Sequence, residues 1–179
     1  FQVFQPRGGG KRQAPTFDVI APGVAKHEEE IVLAPGAEPA ADPNLVLRVA
    51  VAAAEFGLPI APGTLRNLKK CPIGDRNWTD ESRELFIRLL ASGPALLNVW
   101  EDIDFIDVPG KLIPEWLGVR NRPSASAAHR YTIDRHMVEV VTRLGRETPS
   151  GGRYDDRHYE ALLLAGILHD IGKRPGVAN

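Results

Sequence analysis

Apolar residues recur at spacings of three and four along most of the chain, which is the period of an amphipathic helix. Asp42-Pro43 begins the first such segment and Gly57 ends it. Gly93-Pro94 separates two later segments, Pro109-Gly110 interrupts the pattern, and a further element begins at Leu112. The pattern predicts a mainly α-helical protein. Its helices are expected at about 43–56, 62–70, 79–92, 95–108, 132–146 and 156–168.

Two short runs typical of strands, Phe17–Ile20 and Glu30–Leu33, precede the helices and predict a hairpin or short β-arm. The first 16 residues are rich in Gly and polar side chains, which favours a flexible leader. We therefore expect three parts: the leader and β-arm at 1–41, a helical linker at 42–110, and a helical bundle at 111–179.

Three side chains that can bind metal fall at the ends of the last two predicted helices. His136 is four residues before Val140, so both belong to the apolar face of the helix at 132–146. His169 and Asp170 follow the helix at 156–168, which is apolar nearly all round and is expected to be buried between other helices. If the two helices pack antiparallel, all three side chains lie at one end of the bundle. Imidazole and carboxylate suit Zn, Mn or Fe, and Mg less well.

A purely structural explanation stays open for each of these residues. A single His on an apolar helix face commonly makes one hydrogen bond within a core. His169-Asp170 could equally be a helix C-terminus, where a cationic side chain is favoured. The pair Asp102 and Asp104 is expected on a solvated helix face rather than in a catalytic role.

Composition and charge exclude several functions. The formal net charge is −1, so no overall field attracts nucleic acid or anionic lipid. No run approaches the roughly 18 apolar residues of a membrane span. The single cysteine, Cys71, allows no internal disulfide, which suits the cytoplasm. The chain begins with Phe1 rather than Met, and we expect it to be a piece of a longer protein.

Two stretches carry a resemblance to known families. Residues 165–173, AGILHDIGK, resemble the central motif of the HD-domain metal phosphohydrolases. Residues 129–136, HRYTIDRH, together with Leu112–Trp116, resemble the bifunctional uridylyltransferase/uridylyl-removing enzymes that modify the signalling protein PII. The resemblance implies that 111–179 is the first part of an HD domain, that 42–110 is the helical linker, and that 1–41 is the edge of a nucleotidyltransferase domain.

The resemblance also implies roles for individual residues. His136, His169 and Asp170 correspond to metal ligands, and Asp170 would also orient the attacking water. Lys173 corresponds to a lysine that contacts phosphate. His129 and Arg130 correspond to residues that support the ligands or face the substrate. The implied cofactor is a divalent metal: Mg, Mn or Zn.

The implied activity is removal of a nucleotidyl group, UMP or AMP, from PII. The opposite reaction, transfer from UTP or ATP, would belong to a nucleotidyltransferase domain that this sequence lacks, and glutamine would be sensed by ACT domains that it also lacks. A further metal ligand is expected beyond Asn179, so the fragment alone is expected to be inactive.

Two other functions remain open at this point. One is an HD hydrolase acting on free nucleotides, against which the linker and the 129–136 stretch argue. The other is a non-catalytic regulatory helical module, against which the intact His136, His169 and Asp170 argue.

Overall fold

The computed structural model of the chain describes residues 16–74, 78–123, 131–145 and 156–173. These residues form a mainly α-helical structure with a small antiparallel sheet at its N-terminal end, which confirms the predicted fold class. The strands are β1 (Asp18–Ala21), β2 (Val24–His27) and β3 (Glu30–Leu33). The α-helices are α1 (Leu45–Phe56), α2 (Pro62–Leu68), α3 (Asp80–Leu90), α4 (Ala95–Phe105), α5 (Val108–Leu112), α6 (Ile133–Leu144) and α7 (Asp156–Leu168). Two 3₁₀ helices span Pro39–Ala41 and Pro114–Gly118.

The sheet has one strand more than the hairpin that the sequence predicts. The strand order is β1-β2-β3, so the two predicted strands lie on either side of β2 and do not pair with each other. Short turns make this possible, since Gly23 adopts a φ of 76° between β1 and β2, and Glu28 adopts a φ of 52° between β2 and β3.

Helix α1 is the centre of the structure. Nine of its twelve residues are buried, and it packs against β2, β3, α3 and α4. Its one arginine, Arg48, is tied down at the rim of the core, where it donates to both oxygens of Asp42, to Glu81 and to the Pro22 carbonyl. This clamp joins the β-arm to two helices. The helix ends as predicted at Gly57, which takes the left-handed conformation.

The start of α1 differs from the prediction by two residues. The helix begins at Leu45 rather than at Pro43, because Asp42 accepts the Asn44 backbone N–H and pairs with Arg48. Asn44 then reaches across to the N-terminus of α3 and donates to Glu81.

Helix α3 begins where the sequence predicts, with Thr79 as the residue that caps its N-terminus. Thr79 accepts a hydrogen bond from the Ser82 backbone N–H, and the Ser82 hydroxyl accepts one from Thr79 N–H in return. This reciprocal capping box satisfies two donors that a helix leaves unpaired.

The predicted interruption at Pro109-Gly110 is wrong by a few residues. Both lie inside the short helix α5, where Pro109 needs no N–H because it occupies the first turn. The chain turns instead at Asp107, whose φ is 65°.

Asp104 is not on a solvated face, contrary to the prediction. Its side chain is 23% exposed and accepts a hydrogen bond from Arg120 Nε at 3.0 Å. Burial raises the pKa of the Asp104 carboxyl, and the charge of Arg120 opposes that shift only in part. The ion pair between Asp104 and Arg120 therefore links α4 to the segment that precedes α6.

Helix α7 is less buried than its composition predicts. One face, formed by Tyr159, Leu163 and Ile167, packs into the core, whereas Leu164 and Leu168 are each 36% exposed. Its main neighbour is α6, with a smaller contact to α3. The expectation that other helices surround α7 is wrong for the part of the chain that the structure describes.

Some predictions fall outside the described ranges, namely the flexible leader up to residue 15 and the loop before α7. The division into parts at 41 and 110 stays a prediction. Within the described ranges no helix is both long enough and apolar enough to cross a membrane.

Candidate metal centre

Helices α6 and α7 run antiparallel, and a close packing point fixes how they meet. A Cβ atom at Gly166 would lie 2.8 Å from Leu144 Cδ1 and 3.0 Å from Val141 Cγ2, so glycine lets the two helices approach. Further along, the ring centroids of His136 and His169 are 5.2 Å apart and the rings are nearly perpendicular, at 75°. The start of α6 therefore lies beside the end of α7.

This packing brings three potential ligands together. One ligand atom from each of His136, His169 and Asp170 can be chosen such that all lie within 4.8 Å of one another. Asp170 is buried, His136 is half-buried and His169 is exposed. The group has a protected carboxylate on one side and an accessible imidazole on the other.

The His169 ring is held in a defined tautomer. Its Nδ1 lies 2.8 Å from the Gly166 carbonyl oxygen. A carbonyl oxygen can only accept, so Nδ1 carries the hydrogen and a neutral ring has its lone pair on Nε2. Metal-binding histidines are commonly oriented by such a bond from the other ring nitrogen.

Asp170 is held by a cation from its own turn. Lys173 Nζ donates to Asp170 Oδ2 at 2.8 Å, and the Lys173 backbone N–H donates to the Asp170 carbonyl at 3.0 Å. The same Oδ2 is 3.7 Å from His169 Nε2, which is too long for a hydrogen bond. The carboxylate therefore faces the imidazole across a short gap.

The donor set fits a divalent metal. Two imidazole nitrogens and a carboxylate oxygen suit Zn, Mn or Fe, and accept Mg less well. Donor atoms around one such ion sit roughly 3–4 Å apart because each bond is roughly 2.0–2.2 Å long, so the observed group needs only a small contraction. The held tautomer of His169 also presents the correct nitrogen.

The remaining residues predicted for the site are His129 and Arg130, and both lie outside the described ranges. Gly166 was not singled out as functional in the sequence. It both allows the close helix approach and supplies the carbonyl that orients His169. A small residue one helical turn before a candidate ligand is the signal that would have found it.

The fold and the site define a class: a mainly helical protein with a His-His-Asp group at one end of an antiparallel helix pair. Three proteins of similar sequence identify this class more closely. A Streptomyces coelicolor protein is 40% identical over 169 residues, covering 93% of this chain and 19% of the relative. A Mycobacterium tuberculosis protein is 39% identical over 86% of this chain and 19% of its own length. A Corynebacterium glutamicum protein is 34% identical over 74% of this chain and 18% of its own length.

All three relatives bear the name bifunctional uridylyltransferase/uridylyl-removing enzyme. The resemblance to bifunctional uridylyltransferase/uridylyl-removing enzymes is thereby confirmed: this chain corresponds to a segment of proteins with that name. The resemblance to HD-domain phosphohydrolases stays a prediction. The chain spans about a fifth of the length of these curated relatives. No protein-family model matches the chain, and no solved structure gives a significant match.

Proposed function

We propose that this chain carries the nucleotidyl-removing region of a bifunctional nucleotidyltransferase that acts on PII. The reaction is hydrolysis of a phosphodiester between a PII tyrosine and UMP or AMP. The observation that carries the proposal is the His136, His169 and Asp170 group, whose ligand atoms lie within 4.8 Å of one another. Relatives that share 34–40% identity and carry uridylyl removal in their name support it.

We propose His136, His169 and Asp170 as the residues that hold a divalent metal: Mn, Zn or Mg. When bound, such an ion lowers the pKa of water and screens phosphoryl charge. The protein contributes a fixed His169 tautomer and a buried carboxylate, which hold the donor atoms ready before any ion binds.

Asp170 and Lys173 are the proposed catalytic residues. Asp170 would accept a hydrogen bond from the attacking water and so orient it towards phosphorus. Water adds its oxygen to phosphorus and gives up one proton, and the bond from phosphorus to the tyrosine oxygen breaks. The tyrosine oxygen takes up one proton, so the products are the free tyrosine hydroxyl and UMP or AMP. Lys173, with a side chain 46% exposed, can reach outward to a phosphate as a point charge. His129 and Arg130 are proposed to support the ligands or the substrate.

The whole protein's other activities belong to the same proposal. UTP or ATP would supply the nucleotidyl group, and glutamine would act through ACT domains elsewhere in the protein. The cytoplasm as its compartment stays a prediction.

The test is release of nucleotide from nucleotidylated PII by the complete polypeptide that contains this chain, with Mn or Mg added. We expect UMP or AMP to appear and to vanish in the Asp170→Asn variant. Asp18→Asn is the matched control, because Asp18 lies on β1 with a side chain 71% exposed. Cleavage of free nucleotides with PII left intact would replace this function with a general nucleotide hydrolase. Absence of both reactions, together with absence of bound metal, would leave a regulatory module.

A further inference from the structure

Lys173 contacts the carboxylate oxygen of Asp170 that also faces His169. Its ammonium is 2.8 Å from Asp170 Oδ2, and that same oxygen is the one nearest to His169 Nε2, at 3.7 Å. The other oxygen of the carboxylate is not the one that carries the ion pair. The oxygen that pairs with the lysine is therefore the one that would share a metal ion with His169.

We propose that Lys173 competes with the metal for Asp170: its ammonium occupies Oδ2 when the site holds no ion and leaves that oxygen when an ion binds. This rests on the proposed metal site and adds an order of events to it. A phosphate contact by Lys173 becomes possible only after the metal has displaced it.

Repulsion between two cations is the physical reason for this competition between Lys173 and the metal ion. A divalent ion bound at roughly 2.1 Å and an ammonium at 2.8 Å cannot share one oxygen without placing two cations close together. The carboxylate is the fixed partner, because its side chain is 10% exposed. The lysine is the movable one, since its side chain is 46% exposed and is joined to the turn by four rotatable bonds.

The backbone need not move when the metal ion replaces the Lys173 ammonium at Asp170. Ile171 N–H donates to the Leu168 carbonyl at 3.0 Å, and Lys173 N–H donates to the Asp170 carbonyl at 3.0 Å. The turn after α7 is thus hydrogen-bonded independently of the ion pair. Only the lysine side chain needs to swing outward.

Two consequences follow. Without metal, the ammonium prevents a buried carboxylate from being left without a partner, which stabilises the metal-free site. With metal, the ammonium discriminates by charge: a monovalent ion offers no more charge than the lysine that it must displace, whereas a divalent ion offers twice as much. Lys173 is therefore expected to lower affinity for every metal and to favour divalent ions.

The test measures metal affinity directly. The complete polypeptide that contains this chain is purified metal-free and titrated with Mn²⁺ in a calorimeter and with Co²⁺ by visible absorption. Lys173→Met removes the cation and keeps the length of the side chain. Lys173→Arg keeps the cation. Lys70→Met is the matched control, at an exposed lysine whose ammonium donates to Asn67.

We expect Lys173→Met to bind both ions about tenfold more tightly, which is the effect of losing one charge-assisted hydrogen bond at a partly buried site. Lys173→Arg is expected to stay within about threefold of the unsubstituted protein, and Lys70→Met to match it. A second readout is melting temperature: Lys173→Met should be less stable without metal and should gain more from added Mn²⁺.

The two proposals fail differently. If the unsubstituted protein binds Mn²⁺ and Lys173→Met binds it equally or more weakly, the competition by Lys173 is wrong and the metal site stands. If neither protein binds Mn²⁺ or Co²⁺, the metal site itself is wrong, and the role of Lys173 fails with it.

Discussion

Helices α1 and α7 both consist largely of apolar residues, yet the structure buries them to very different extents. In α1 nine of twelve residues are buried, and strands and helices surround it. In α7 a single face is buried, and Leu164 and Leu168 are each 36% exposed on the other. The helix with small side chains became the centre, since alanines let neighbours approach from every side.

The two regions also differ in role: the region around α1 stabilises the fold, whereas the end of α7 carries the candidate metal ligands. The region around α1 is closed by the Arg48 ion pairs and the capping box at Thr79, and among its described residues there is no group of candidate metal ligands. The end of α7 is open, and there His169 and Asp170 meet His136. Binding sites are often built where an element is held on one side and accessible on the other. Substitutions in the two regions should therefore differ in their effects on stability and on metal binding.

The largest effect is expected in α1. Leu45 is fully buried, so Leu45→Ala should lower the free energy of unfolding by about 2–5 kcal/mol. Leu164→Ala, on the exposed face of α7, should cost less than about 1 kcal/mol. Urea unfolding of both variants checks this, and equal losses would contradict the contrast between the two helices.

The contact between α6 and α7 comes next. Gly166→Val would drive side-chain carbon into Leu144 and Val141, and should destabilise the protein by about 1–3 kcal/mol. It should also disturb the His169 orientation and weaken Mn²⁺ binding, since Gly166 supplies the accepting carbonyl. Gly172→Ala is the control, because a Cβ there meets nothing within 4 Å. Unchanged stability and unchanged Mn²⁺ affinity in Gly166→Val would argue against close helix packing.

The two helix starts give a matched pair. Thr79→Ala removes the side chain of a complete capping box and should cost about 1 kcal/mol. Thr132 stands at the N-terminus of α6 but makes no capping hydrogen bond through its side chain, so Thr132→Ala should cost only a few tenths of a kcal/mol. Thermal unfolding distinguishes the two, and a larger loss at Thr132 would be the contrary result.

The pH dependence of stability should show how well the Cys71 thiol is buried in the core around α1. Burial raises the pKa of its thiol from 9.0 to about 11. Above pH 9 the unfolded chain loses this proton while the folded chain keeps it, so stability is present below pH 9 and is lost as pH rises towards 11. Unfolding at pH 8 to 11 should show a steeper loss than in Cys71→Ala. Parallel curves would mean that the thiol is solvated.

The smallest effect on folding is expected at the outer face of α7. Replacing Leu164 and Leu168 with Gln should change the free energy of unfolding little, because both side chains already contact water. The same change should reduce any self-association, since it removes an exposed apolar stripe. Light scattering at increasing concentration measures it. An oligomer that persists in the double variant must use another surface.

Helix ends follow local signals in the sequence. Gly57 ended α1 and Thr79 began α3 as expected, because a left-handed C-terminal residue and a capping box depend only on neighbours in the chain. The sequence pattern does not predict β2, because Val24–His27 ends in the polar pair Lys26 and His27 and so lacks the apolar run that indicates β1 and β3. Asp104 was misassigned because its partner, Arg120, lies 16 positions away.

The amino-acid pattern predicts a mainly helical chain, most helix ends and the three side chains that could bind a metal. Tertiary packing brings the Gly166 carbonyl to His169, covers one face of α7 and leaves the other open, and sets Lys173 on the oxygen of Asp170 that faces the imidazole. The physical reason is range. Capping and periodicity act over a few residues, whereas burial and ligand distances depend on which surfaces meet after the chain has folded.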